Sequence, residues 1–206
     1  IGATTTGLAV YEDGELLYAT TLPMGGDHIT SDIAIGLRVS LDVAEDIKRV
    51  CGHAVPSEVD RRQQIDLKDF GADQSEVVSV QYISEIIEAR VEELYEKVDE
   101  QLKKIGRAGL LPAGMMLTGG GAKLPGMVEV AKRVLQLPCT VGFANVQTPM
   151  PELVLDPRFS TSVGLVLWGH NAEQSDSTTA RKNWSGENKK FSQALHKITE
   201  HIKRIF

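Results

Sequence analysis

Apolar positions alternate with polar ones at the start of the chain and recur every three or four residues further on, and the change of period lays out the elements. Gly2 to Thr6 reads as a turn feeding a strand that runs to Tyr11. Asp13-Gly14 marks a hairpin turn, and Leu16 to Leu22 is the return strand. Ile29, Ile33 and Leu37 fall four apart, which is helical spacing. Ser40 is placed to cap a second helix that carries Leu41, Ala44, Ile47 and Val50 and ends near Gly52. From Ala54 to Val80 the pattern becomes short and β-like, with Ile65 and Leu67 before a polar turn at Gly71 to Gln74 and Val77, Val78 and Val80 after it. Tyr82 to Ile105 is a long amphipathic helix. Ile83, Ile87, Val91, Leu94, Val98 and Leu102 form its apolar stripe, and Glu85, Glu88, Arg90, Glu92, Glu93, Glu96 and Lys97 lie opposite.

The apolar run Met115-Met116-Leu117 stops at Gly119-Gly120-Gly121, and Pro125 opens a helix bearing Met127, Val130, Ala131 and Val134. Cys139 to Gly142 then reads as a strand, so the glycines sit inside a strand–helix–strand crossover. Ser160 to Gly169 predicts a last helix rich in small residues. Asn171 to Lys190 has no aliphatic periodicity and reads as a disordered tether. Periodicity returns in Phe191, Leu195, Ile198, Ile202, Ile205 and Phe206, with Lys203 and Arg204 among the polar positions.

The whole chain of 206 residues carries a net charge of −6, which argues against nucleic acid as the main partner. From Lys189 onward the local charge is instead +4. A basic amphipathic helix on a tether has the character of an in-plane anchor on anionic lipid, with docking onto a partner as the other reading. Cys51 and Cys139 are far apart and read as reduced thiols. There is no apolar run of about 18 residues and no basic-then-apolar leader, so neither a transmembrane span nor secretion is predicted. The chain opens at Ile1 within strand-like sequence, which predicts a piece of a longer protein.

Three segments carry candidate chemistry. Gly2-Ala3-Thr4-Thr5 combines small residues with hydroxyls, which suits a backbone wrapped on phosphate. Glu45, Lys48 and Arg49 lie within about one turn of a helix, so Glu45 and Lys48 can face one ligand. Gly119 to Gly121 let the backbone approach a ligand closely at the start of a helical segment. Taken singly, each also reads as ordinary structure: a strand end, a solvated helix face, a plain connection.

In this order the three segments resemble the second phosphate loop, the ribose and adenine contact, and the adenosine motif of the actin-like ATPase superfamily. Within it the chain is similar to the FtsA family of bacterial division proteins. The likeness runs through Gly25-Gly26-Asp27-His28-Ile29-Thr30-Ser31-Asp32-Ile33-Ala34, Ile83 to Glu93, the glycine turn through Gly126, Ser160 to Gly169, and the tether with its terminal helix. The resemblance implies an α/β fold: an actin-like ATPase (ribonuclease H-like) domain with an inserted small α+β subdomain, a disordered tether and a terminal amphipathic helix. Residues 1–26 and 81–170 would be subdomain 2A, 27–80 subdomain 2B, 171–190 the linker and 191–206 the membrane helix.

It further implies ATP with Mg2+, contacted by Gly2, Ala3, Thr4, Thr5, Gly25, Glu45, Lys48, Gly119, Gly120 and Gly121. Self-association into actin-like filaments, an FtsZ contact at Arg90, and a peripheral position at the cytoplasmic face of the membrane, at the division site, follow from the same likeness. An acidic FtsZ tail would suit the arginine fork. The membrane contact would be made by Phe191, Leu195, Ile198, Ile202, Lys203, Arg204, Ile205 and Phe206. Two departures stand out: the acidic residue that opens the phosphate loop would precede Ile1, and Thr4 and Gly7 occupy positions where relatives commonly carry glycine and Asp. No catalytic residue is assigned, and at most weak ATPase activity is expected. A sugar kinase-type phosphotransferase and a pilus or shape-determining actin-like ATPase are the alternative readings.

Overall fold

The structure, a computed structural model, describes residues 1–144 and 152–176. The terminal helix expected over 191–206, and the linker beyond Asp176, lie outside the described residues. Two compact units divide the chain, Ile1–Phe143 and Ala144–Phe206.

The first unit opens with an antiparallel hairpin of β1 (Thr6–Glu12) and β2 (Glu15–Leu22), joined by Asp13 and Gly14. Both turn residues have positive φ, 51° and 84°, as a tight two-residue turn matched to strand twist requires. A bulge between Val10 and Tyr11 shifts the register. Helix α1 (Gly26–Leu37) begins three residues before the expected Ile29, because Gly25 rather than a Ser, Thr, Asn or Asp stands at its N-cap. Helix α2 (Leu41–Cys51) starts after Ser40, whose hydroxyl accepts the Val43 N–H, as expected.

Strands β3 (Gln64–Asp66) and β4 (Val77–Ser79) pair antiparallel. Leu67 does not extend β3. Its side chain is buried at the start of a 3-10 turn, Leu67–Phe70, capped by the Asp66 carboxylate on the Lys68 N–H. Helix α3 (Val80–Lys104) likewise starts earlier than Tyr82: the Ser79 hydroxyl accepts the Tyr82 N–H at 3.1 Å and turns Val80 into the first helical residue.

Along α3, the stripe Ile83, Ile87, Val91, Leu94, Val98 and Leu102 is exposed by 3% or less. It forms the spine of one continuous core that also takes Ile29, Ile33 and Leu37 from α1 and Val43, Ala44 and Ile47 from α2. Strand β5 (Met115–Leu117), helix α4 (Met127–Leu135) and strand β6 (Cys139–Val141) form the crossover read from the sequence, with β5 and β6 parallel. Pro125 precedes α4 by two residues, and Gly126 is its N-cap with φ of 85°. The described part of the second unit is α5 (Glu152–Leu155), a 3-10 turn at Pro157–Phe159 and α6 (Ser160–Asp176). Helix α6 continues through Gly169 and Asn171 into sequence expected to belong to the linker. No helix among the described residues is long and apolar enough to cross a membrane.

Candidate functional site

Residues 1–5 are the seam that joins the predicted segments. The Gly2 N–H bonds the Thr5 carbonyl at 2.9 Å, closing a small turn, and the buried Thr6 hydroxyl donates to the Met24 carbonyl at 2.8 Å. On one side, the Gly2 and Ala3 carbonyls accept the Gly26 and Asp27 N–H groups at 2.9 and 2.8 Å. They therefore cap the first turn of α1, whose amides would otherwise lack partners. The Gly25 N–H donates to His28 Nδ1 at 3.2 Å. A Cβ on Gly25 would stand 2.5 Å from the Ala3 oxygen and 2.6 Å from the Gly2 oxygen. Only glycine fits there.

On the other side, Ile1 lies against the glycine turn. Its amino group donates to the Thr118 carbonyl at 2.7 Å, and the Gly121 N–H bonds the Ile1 carbonyl at 3.1 Å. A Cβ on Gly119 or Gly121 would collide with Ile1, and Gly119 has φ of 90°. The close approach that these glycines permit is thus made by the chain's own segment, leaving Gly120 exposed. The helical turn that begins at the glycines is a 3-10 turn, Gly120–Lys123, and the N-terminus of α4 lies beyond it.

Glu45 and Lys48 lie on α2 at the α1 N-terminus. Lys48 Nζ bonds the Gly26 carbonyl at 3.1 Å, the Thr30 hydroxyl at 2.7 Å and Glu45 at 2.5 Å. Thr30 donates to Glu45 at 2.6 Å, and Arg49 reaches the second Glu45 oxygen at 2.8 Å. Burial works to raise the Glu45 carboxyl, but hydrogen bonds from Lys48, Thr30 and Arg49 outweigh it and hold the group below its ordinary value. The three ammonium protons of Lys48 are engaged within the protein, so it brings positive charge to the seam while its donors lock α1 to α2. Sequence spacing brought out Glu45 and Lys48 but missed Thr30. Its buried hydroxyl lies on another helix, and nothing in its local pattern marks it.

Arg90 lies on α3. Its Nε and Nη2 grip both oxygens of Asp32 on α1, at 2.5 and 2.8 Å, and Nη1 holds Glu93 at 2.5 Å. The hydrogen bond to Asp32 raises the guanidinium further above its already high value. A second belt on the same helix joins Glu88 and Glu92 to Arg133 of α4, both at 2.7 Å.

The geometry therefore brings together Gly2 to Thr5, Gly25, Gly26, Glu45, Lys48 and the turn Gly119 to Gly121, and leaves Arg90 apart. Gly2, Ala3, Thr4 and Thr5 are all exposed. A segment with exposed hydroxyls, next to a half-buried ammonium, has the donor chemistry for phosphate oxygens, and exposed Gly120 gives a flat border for an apolar ring. Among the described residues no group of three His, Cys, Asp or Glu side chains is placed to hold a metal.

Comparison with known proteins gives the family and the fold. The family model described as cell division protein FtsA matches residues 1–164. The cell division protein FtsA of Bacillus subtilis (strain 168) is 39% identical over 168 residues, which are 81% of this chain and 36% of that protein. That of Pseudomonas aeruginosa is 31% identical over 204 residues, 99% of this chain and 48% of its own length. The chain thus spans less than half the length of these relatives. Among solved structures, MreB 5 of Spiroplasma citri bound to AMPPNP superposes with a TM-score of 0.64 at 22% identity, covering 85% of this chain and 54% of that one. A PilM–PilN type IV pilus biogenesis complex gives 0.57 at 22% identity, covering 82% and 44%. Likeness at that identity speaks for the fold alone, which is the actin-like ATPase fold. With the family match running from the seam at Ile1 through the glycine turn and into α6, the chain belongs to the FtsA family of cell division proteins.

Proposed function

We propose that the protein is an ATP-binding, actin-like adaptor that ties FtsZ filaments to the cytoplasmic face of the membrane and helps assemble the division septum. The observation that carries its nucleotide half is the convergence of Gly2 to Thr5, the α1 N-terminus with Lys48, and the Gly119–Gly121 turn on one seam. Residues 1–26 and 81–170 act as subdomain 2A and 27–80 as subdomain 2B. Gly2 to Thr5 would hold the phosphates of ATP and Gly120 would border its adenosine, and Mg2+ would supply positive charge at those phosphates. Hydrolysis, where it occurs, needs groups beyond this half of the cleft.

The partner half rests on family membership and on residue chemistry. Arg90 offers a fork for the acidic tail of FtsZ. The stripe Phe191 to Phe206 with Lys203 and Arg204 lies in the plane of an anionic membrane, and actin-like self-association multiplies that weak grip. Liposome flotation tests the whole reading. Full-length protein with ATP should carry FtsZ up with vesicles containing anionic lipid, and deletion of residues 191–206 should leave both at the bottom of the gradient. Equal flotation with and without those residues would sink the anchor.

A further inference from the structure

Arg90 receives the acidic partner in the reading above, yet three of its five N–H donors already hold carboxylates of this chain. The side facing α1, Nε and Nη2, grips both carboxylate oxygens of Asp32, and Nη1 is taken by Glu93. Two parallel N–H groups on one carboxylate are the arrangement by which arginine recognises an acidic side chain or chain end. Asp32 thus sits in the seat that an incoming carboxylate needs. Asp32 and Arg90 are 58 positions apart, so the packing of α1 against α3 brings them together. Their side chains are 24% and 25% exposed, which leaves the pair within reach of a ligand. Glu93 is shared with Lys97 at 3.3 Å, so its charge stays compensated while Arg90 changes partner.

We infer that Asp32 is a built-in competitor: it occupies the Arg90 fork in the unliganded protein, and an acidic peptide binds by taking its place. The inference rests on the reading that Arg90 receives the partner's acidic segment. Exchange of one carboxylate for another keeps the guanidinium paired before and after, so no charge is stranded in the half-buried seam. Asp32 turns toward water, where a carboxylate is well solvated. Apparent affinity is then the intrinsic affinity multiplied by the fraction of molecules whose fork is open. A peptide presenting a single weakly held carboxylate is rejected, and one whose flanking residues add contacts succeeds.

The test is fluorescence anisotropy with a labelled peptide of the FtsZ C-terminal tail and full-length protein. Asp32→Asn removes the competing charge at constant size and should tighten binding by up to about fivefold, as release of a partly exposed ion pair does. Asp32→Ala should show the same gain, and thermal unfolding of both variants confirms that they are folded at the assay temperature. In an Arg90→Ala background the gain should vanish. Arg90→Ala weakening the peptide while Asp32→Asn leaves it unchanged or weaker would overturn the competitor and leave the Arg90 reading standing. Arg90→Ala without effect would remove that reading and the competitor together.

Discussion

Gly25 has no side chain because the carbonyls of Gly2 and Ala3 lie where a Cβ would stand. Gly25→Ala should therefore cost about 1–3 kcal/mol, as forced overpacking does, and should loosen the seam against α1. Gly7 is the internal control. A Cβ there meets open space, so Gly7→Ala should be neutral or slightly stabilising in the same urea titration. Glu45 gives a pH signature. Its folded-state pKa lies below the unfolded value near 4.5, so the stability it contributes is complete above that value and is lost as pH falls through the lowered one. Wild type should therefore be the more stable protein at pH 7, and its advantage over Glu45→Gln should disappear on the acid side of that window. An advantage independent of pH would contradict the Lys48–Thr30–Glu45 arrangement.

At the scale of elements, α3 organises the first unit. Its buried stripe outweighs the ion pairs on its flank. Ile87 is fully buried, and Ile87→Ala should cost about 2–5 kcal/mol through lost burial and the cavity left behind. Arg133 is 49% exposed, and Arg133→Ala should cost less than about 1 kcal/mol despite its two carboxylate partners. Chemical denaturation of the two variants distinguishes these outcomes by size alone. The same helix shows what periodicity makes legible. A run of apolar residues every three or four positions identified α3 and its stripe, while Val77, Val78 and Val80 concealed its start because β-branched residues read as strand until a cap is seen. At α1 the cap was a glycine, which local chemistry marks weakly. The Asp32–Arg90 and Thr30–Lys48 pairs were invisible for another reason: each joins two helices, and helix packing is not written in spacing along one of them.

For the whole molecule, family membership and the actin-like fold agree with each other, and the structure adds how the three segments singled out in the sequence meet. Sequence reading assigned Gly119 and Gly121 to a ligand. The room a Cβ would need at either is taken by Ile1, so both glycines let the chain's first residues lie against the turn. If this seam is one wall of a nucleotide site, the hydroxyls of Thr4 and Thr5 are its test, since both residues are exposed. ATP affinity of the full-length protein, measured by titration calorimetry, should fall about tenfold or more in the Thr4→Val, Thr5→Val double variant, as expected when hydrogen bonds to charged phosphate are lost, with no change in melting temperature. Unchanged ATP affinity in that variant would contradict the account.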